Sequence, residues 1–268
     1  MPRVLVVSGR TDRPGLFQSE GDQMARINGN GSANRLNGTS VADLIYGRDG
    51  EDTIRGNGGN DTIHGGDDDD LVYGGAGHDR IFGGKGEDRL FGGAGNDIIR
   101  DSSGNDLLDG GAGNDRLFAG EGNDTIRGGS GNDYVRAGEG NDIVRLGSGN
   151  DRAWGGEGDD AIFGGAGRDI MFGGEGNDTL NGGAGNDVMT GGEGADRFVF
   201  NGGRDRITDF EPGDDQIDLR SWNQLDSWSD VRGASRQVGS DVHINVGAHK
   251  LIIEDFRLGQ MDSDDFLF

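Results

Sequence analysis

The sequence predicts an all-β fold, a right-handed parallel β-roll solenoid with a C-terminal β cap, and three observations predict it. From Gly29 to Val199 the chain reads as 19 consecutive blocks of nine residues without insertion. The block is GGxGxDxUx, with U apolar, as in Gly92-Gly93-Ala94-Gly95-Asn96-Asp97-Ile98-Ile99-Arg100. The eighth position is apolar in all 19 blocks, from Leu36 to Phe198, and the sixth is Asp in 18 of them, Asn34 being the exception. A fixed short period of this kind is the mark of stacked repeats.

Each part of the block has its own role. The last three residues, such as Arg80-Ile81-Phe82, alternate out, in, out, the pattern of a short strand with one buried side chain. The first six are expected to form a turn, because glycine permits positive φ and close backbone approach. An isolated strand cannot bury its single apolar residue, so blocks must stack, two to a coil, with a strand on each side and a turn at each edge. At ~4.8 Å per layer the nine and a half coils make a roll about 45 Å long. Of the 57 glycines, 45 occupy positions one, two and four of the block, so they are structural rather than linker residues.

Composition narrows the function. The chain has 268 residues, no Cys, only 3 Pro and a formal net charge of -24. It lacks the Pro content and three-residue Gly period of collagen, and the missing Cys excludes a disulfide scaffold, a thiolate zinc site and a thiol nucleophile. No apolar run approaches the ~20 residues of a membrane span, and Val4 to Val7 is too short for a cleaved signal peptide. Such acidity repels nucleic acid and anionic membranes and makes cations the expected partners.

Stacking sets the Asp of each block over that of the second block beyond it, at ~4.8 Å along both edges. The residues concerned are Asp43, Asp52, Asp61, Asp70, Asp79, Asp88, Asp97, Asp106, Asp115, Asp124, Asp133, Asp142, Asp151, Asp160, Asp169, Asp178, Asp187 and Asp196. Two such columns of bare carboxylates would repel strongly in a partly dry turn. With backbone carbonyls from the glycines, each gap between layers offers an all-oxygen cage of about six ligands, the donor set that selects Ca²⁺ over Mg²⁺ or zinc. If about 17 gaps were filled, the net charge would move from -24 to about +10.

The run of GGxGxDxUx resembles the RTX, or hemolysin-type calcium-binding, repeat, a known Ca²⁺-binding nonapeptide pattern. The resemblance covers 171 residues. It implies a parallel β-roll with Ca²⁺ between successive turns, the 18 Asp as carboxylate ligands and the glycines as carbonyl donors. Ser32, Val41 and Asp68 depart from the pattern at position four, Asp101-Ser102 replaces one leading Gly pair, and Leu146 replaces one leading Gly. A chain so short of apolar residues is expected to be disordered without Ca²⁺ and β-rich with it.

The two faces differ. Down one face, position seven reads Arg80, Ile98, Arg116, Tyr134, Arg152, Ile170 and position nine reads Phe82, Arg100, Phe118, Arg136, Trp154, Phe172. This checkerboard is either a solvated face whose arginines stack on aromatics, or a surface for an extracellular polysaccharide or other partner through Arg80, Phe82, Arg116, Phe118, Arg152 and Trp154. One turn edge carries Glu121, Glu139, Glu157, Glu175 and Glu193 at position three, an acidic row that either aids solubility as a solvated edge or recruits further, loosely held Ca²⁺.

Three segments follow: a lead-in and cap over 1–28, the roll over 29–199, and a C-terminal β cap over 200–268. Val4-Leu5-Val6-Val7 is expected to form a strand against the first coil. The cap carries Trp222, Trp228 and alternating stretches such as Val242-His243-Ile244-Asn245-Val246, and covers strands that would otherwise pair with another chain. The stretches from Ala195 to Phe200 and Asp205 to Gly213, with Ile217-Asp218-Leu219, resemble the C-terminal cap of serralysin-type RTX proteins. That likeness implies a last ion at Asp205 and Asp209 with Asp215 or Asp218; surface turn acids are the alternative. The ending Asp265-Phe266-Leu267-Phe268, joined to such a roll, resembles an uncleaved type I secretion signal and implies export through that machinery to the extracellular side, where calcium is plentiful.

No HExxH, GxSxG, Walker loop or EF-hand spacing occurs. His64 and His78 sit at variable repeat positions and His243 and His249 in the cap. The expectation is a secreted, non-catalytic calcium-binding protein with a structural, surface or adhesive role. A carbohydrate- or polyanion-binding accessory module, and the C-terminal part of a secreted enzyme or toxin, remain as alternatives.

Overall fold

The computed structural model describes residues 4–6, as backbone, and 24–268; the rest of the lead-in, Val7 included, lies outside the described residues. The chain divides into two compact units, residues 1–136 and 137–268. The described residues of each form a parallel β-solenoid, which in the second unit ends in an antiparallel meander and one short helix.

In the first unit, one sheet runs through the strands Val4–Val6, Arg26–Asn28, Leu44–Asp49, Thr62–Asp67, Arg80–Lys85, Ile98–Arg100 and Arg116–Glu121, each parallel to the next. The facing sheet runs through Arg35–Asn37, Thr53–Gly58, Leu71–Ala76, Arg89–Ala94, Leu107–Ala112 and Thr125–Ser130. The register steps by two blocks, so that Ile63 pairs with Ile81, Ile81 with Ile99 and Ile99 with Leu117. Eighth-position side chains thereby form continuous inner rows, and those from Ile45 to Phe198 are wholly buried.

The strands are longer than the block pattern predicts. Arg80–Lys85, for example, spans six residues, taking in positions one to three of the next block, and only positions four to six make the turn. Pairing continues through the glycines, with Gly66 opposite Gly84 and Asp67 opposite Lys85. The cause is the missing Cβ: Gly84 has φ +132°, and any side chain there would run into the Gly66 carbonyl. Position one faces inward with position eight, which is why Ala119 and Leu146, where they replace the leading glycine, are fully buried.

In the second unit the same two-block register links Arg152–Glu157, Ile170–Glu175 and Val188–Glu193 in one sheet. The other sheet joins Ile143–Ser148, Ala161–Gly167, Thr179–Gly185 and Arg197–Val199. The chain then leaves the nine-residue pattern but keeps the ladder. Arg204–Ile207 pairs parallel with Val188–Glu193 and is itself paired by His249–Ile253, which begins an antiparallel meander with Asp241–Val246 and Ser235–Val238. Gln216–Asp218 and then Phe266–Leu267 extend the other sheet. A helix, Trp228–Ala234, which the strand-rich reading of this segment did not foresee, is capped by Ser227 and buries Val231. Phe198, Phe210 and Phe256 pack ring to ring, joining the last coil to this segment.

Candidate metal centre

Each sixth-position Asp sits at the inner corner of a turn, and all 18 are buried, none more than 3% exposed. Within each column the backbone N–H of one Asp donates to Oδ1 of the Asp 18 residues on: Asp61 to Asp79 at 2.7 Å, Asp79 to Asp97 at 2.8 Å and Asp97 to Asp115 at 2.7 Å on one edge. The other edge repeats this from Asp52 to Asp70, Asp88, Asp106 and Asp124. In the second unit the bonds run from Asp142 to Asp160, Asp178 and Asp196, and from Asp151 to Asp169 and Asp187.

One oxygen is used in this way, and in most of these carboxylates the other is left over. Oδ2 of Asp52, Asp61, Asp70, Asp79, Asp88, Asp97, Asp106 and Asp115 in the first unit is buried without a hydrogen-bond partner. The same holds for Asp160, Asp169, Asp178, Asp187 and Asp196 in the second. A buried, unpaired carboxylate oxygen is costly and calls for a cation or a proton. The first turns are different, since Asn34 stands in the first block and Asp43 Oδ2 already accepts from the Thr39 hydroxyl at 2.9 Å.

The leading glycine completes the arrangement. The space that a Cβ on Gly74 would fill lies 2.5 Å from Asp79 Oδ2 and 2.6 Å from the Gly92 carbonyl oxygen. At Gly110 the corresponding atoms are Asp115 Oδ2 at 2.5 Å and the Gly128 carbonyl at 2.7 Å, and at Gly164 Asp169 Oδ2 and the Gly182 carbonyl, both at 2.5 Å. At these layers a carboxylate oxygen and a carbonyl oxygen of the next coil both face the leading glycine. These are hard donors with no nitrogen or sulfur, the kind of set that suits Ca²⁺.

Electrostatics point the same way. Burial pushes the Asp52, Asp97, Asp115 and Asp178 carboxyls up to about 6, and those of Asp61 and Asp70 to about 7, against the pull of the backbone N–H each accepts. Asp160, flanked by Asp142 and Asp178, reaches about 8. Columns held this close to neutral pH exchange protons for metal readily.

The acids after the roll do not form one group. Asp205 continues one column, accepting from Asp187 N–H at 3.1 Å, and burial raises its carboxyl to about 8. Asp215 continues the other, accepting from Asp196 N–H at 2.9 Å. Asp209 binds the N–H groups of Gly191 and Gly192 at 3.0 and 2.9 Å. Asp218 is ion-paired with Arg197 and Arg220, whose guanidinium groups hold its carboxyl well below the usual range, and takes no part in either column. Sequence reasoning passed over Asp101 as a ligand because it stands where the repeat has glycine; its register 18 residues after Gly83 was the available signal.

On the outer face, the aromatic and arginine side chains of position nine meet one another along the column. The rings of Tyr46, His64 and Phe82 stack at 4.8 and 4.6 Å, Arg100 lies 4.7 Å above the Phe118 ring, and Trp154 stacks on Phe172 at 5.2 Å. Among the described residues no helix is long and apolar enough to cross a membrane.

Parallel coils whose turns hold axial columns of unpaired carboxylates define a cation-accepting β-roll. The family described as RTX calcium-binding nonapeptide repeat (4 copies) matches in ten overlapping segments between residues 28 and 207. The chain belongs to this family and is a calcium-binding β-roll protein. No curated protein matches. Among solved structures, the extracellular lipase LipA from Serratia marcescens is similar at 21% identity and a TM-score of 0.33, over 75% of this chain and 40% of the lipase. The chain thus spans less than half the length of that protein.

Proposed function

We propose that this chain is a secreted, non-catalytic protein whose roll assembles around Ca²⁺, with the sixth-position Asp residues from Asp52 onward as ligands and a structural or adhesive role at an extracellular surface. The observation that carries this reading is the row of buried Oδ2 atoms without partners along both edges. Such rows suit a polyvalent counter-ion in every layer, and their burial ties ion binding to folding. Family membership supports calcium as the ion. Extracellular calcium is abundant enough for sites of the ~10⁻⁴–10⁻³ M class, so an exported chain would fold on arrival.

Calorimetric titration of the metal-free chain with Ca²⁺ tests the reading. The expected result is binding of many ions per chain with a large negative heat-capacity change from coupled folding. Binding of one or two ions, or none, would sink it.

A further inference from the structure

At Gly83, within the roll, a third carboxylate joins the Asp column. In a regular layer the space before the leading glycine is faced by one Asp Oδ2 and by a backbone carbonyl, as at Gly92, where Asp97 Oδ2 lies 2.5 Å and the Gly110 carbonyl 2.7 Å away. In front of Gly83 the nearest atoms besides Asp88 Oδ2 belong to a side chain. A Cβ there would lie 2.5 Å from Asp88 Oδ2 and 2.6 Å from each carboxylate oxygen of Asp101.

The local backbone explains how Asp101 gets there. The strand Ile98–Arg100 is three residues shorter than its neighbours, yet residue 101 keeps its place on the ladder, its N–H donating to the Phe118 carbonyl at 2.7 Å, so its side chain stands at the leading position one coil beyond Gly83. Its carboxylate is then fixed by the N–H groups of Gly84 at 2.7 Å and Ser102 at 2.9 Å, both donating to Oδ1. Asp88, Asp101 and Asp106 each offer an oxygen within 4.8 Å of the others. Asp88 and Asp106 are 1% and 2% exposed, and Oδ2 of all three acids is buried without a hydrogen-bond partner. No salt bridge among the described residues reaches any of them.

We propose that Asp101 turns this layer into a three-carboxylate cation site, the tightest on the chain and the one with the strongest preference for a trivalent ion. Charge decides this: affinity of an oxygen site for a hard cation rises with the number of charged ligands, and the gain grows with the charge of the ion. The regular layers offer a neutral carbonyl at the same point. The inference rests on the calcium reading above and adds to it a rank order among the sites.

The test is titration of the metal-free full chain with Eu³⁺ followed by direct excitation of the ion, whose line position reports total ligand charge, with Ca²⁺ as competitor. The wild type is expected to show a first-filled class, about one ion per chain, with its own excitation line and at least about tenfold tighter than the remainder. Asp101→Asn should remove that line and bring the first ion into the common class. Asp101→Gly restores the repeat pattern, so it should do the same while the other sites and the β-sheet circular dichroism signal remain. If the first-filled class in both variants superimposes on the wild type, or if the wild type shows a single uniform class, this inference is overturned while the calcium reading stands. A wild-type chain that binds neither Eu³⁺ nor Ca²⁺ overturns both.

Discussion

The backbone N–H of Asp79 donates to Oδ1 of Asp97 at 2.8 Å, one coil further on, while Oδ2 of Asp97 is buried with no partner. One carboxylate thus has two separable tasks: Oδ1 ties adjacent coils together, and Oδ2 awaits a cation. Substitution at this position separates them. Asp97→Asn keeps an acceptor for Asp79 and removes the charge, so it should keep the fold in calcium while lowering the stoichiometry by one or two ions. Asp97→Ala also orphans the Asp79 N–H, and should cost about 1–3 kcal/mol more, read as a lower calcium-loaded melting temperature. Equal effects of the two changes would contradict this division.

Acid should fold the chelated chain rather than unfold it. An unfolded Asp titrates near 3.9, whereas burial lifts Asp97 to about 6 and Asp61 and Asp70 to about 7 in the roll. The folded state therefore holds these protons more tightly than the unfolded chain. Their contribution to stability is fully present below about pH 4 and is lost as pH rises through about 6 to 7. With chelator present, the β signal should increase from pH 8 down to pH 4.5, and calcium affinity should weaken over the same interval as protons compete. A β signal that fails to rise on acidification would argue against metal-free columns as the destabilising element.

Glycines at different block positions should fail in different ways. In Gly92→Ala the new methyl would stand 2.5 Å from Asp97 Oδ2 and crowd the oxygen assigned to the ion, yet Ala119 shows that the fold accommodates alanine at this position. It should weaken calcium binding at one layer with a modest fall in melting temperature. Gly95 has φ +131°, and its added methyl would meet the Gly77 carbonyl, so Gly95→Ala should cost about 1–2 kcal/mol from backbone strain alone and more from the clash. Thermal denaturation in calcium, with titration of each variant, distinguishes them.

Asp218 offers a contrast, because its partners are Arg197 and Arg220 rather than the columns. Asp218→Asn should lower the melting temperature of the calcium-loaded chain, by about 1–3 kcal/mol in stability, without changing the number of ions bound. The arginines depress its carboxyl in the folded state, so this contribution is present above the unfolded pKa and is lost as pH falls further. A changed stoichiometry would place Asp218 among the ligands after all.

Much of this was legible in the nine-residue period. A spacing of two blocks per coil predicts the pairing of Ile81 with Ile99, the buried eighth position and the vertical alignment of Asp79 over Asp97. Less legible was the strand length, because a Gly-Gly pair reads locally as a turn while its pairing partner, Gly66 for Gly84, lies 18 residues away. Asp101 was hidden for a related reason: its carboxylate reaches the layer before its own, which no local pattern encodes. Beyond Phe200 the period is lost, and the helix Trp228–Ala234 rests on Ser227 capping and on burial of Val231, which no repeat position marks. The division of Asp205 and Asp215 between two columns depends on how the chain continues the coils, and spacing alone did not separate them.

The central claim is that calcium completes the roll, and far-UV circular dichroism of the full chain at pH 7.5, in excess chelator and then in excess Ca²⁺, tests it most directly. The account predicts a spectrum without β structure in chelator and a cooperative change to a β-rich one as the columns fill. An unchanged β-rich spectrum in chelator would contradict it.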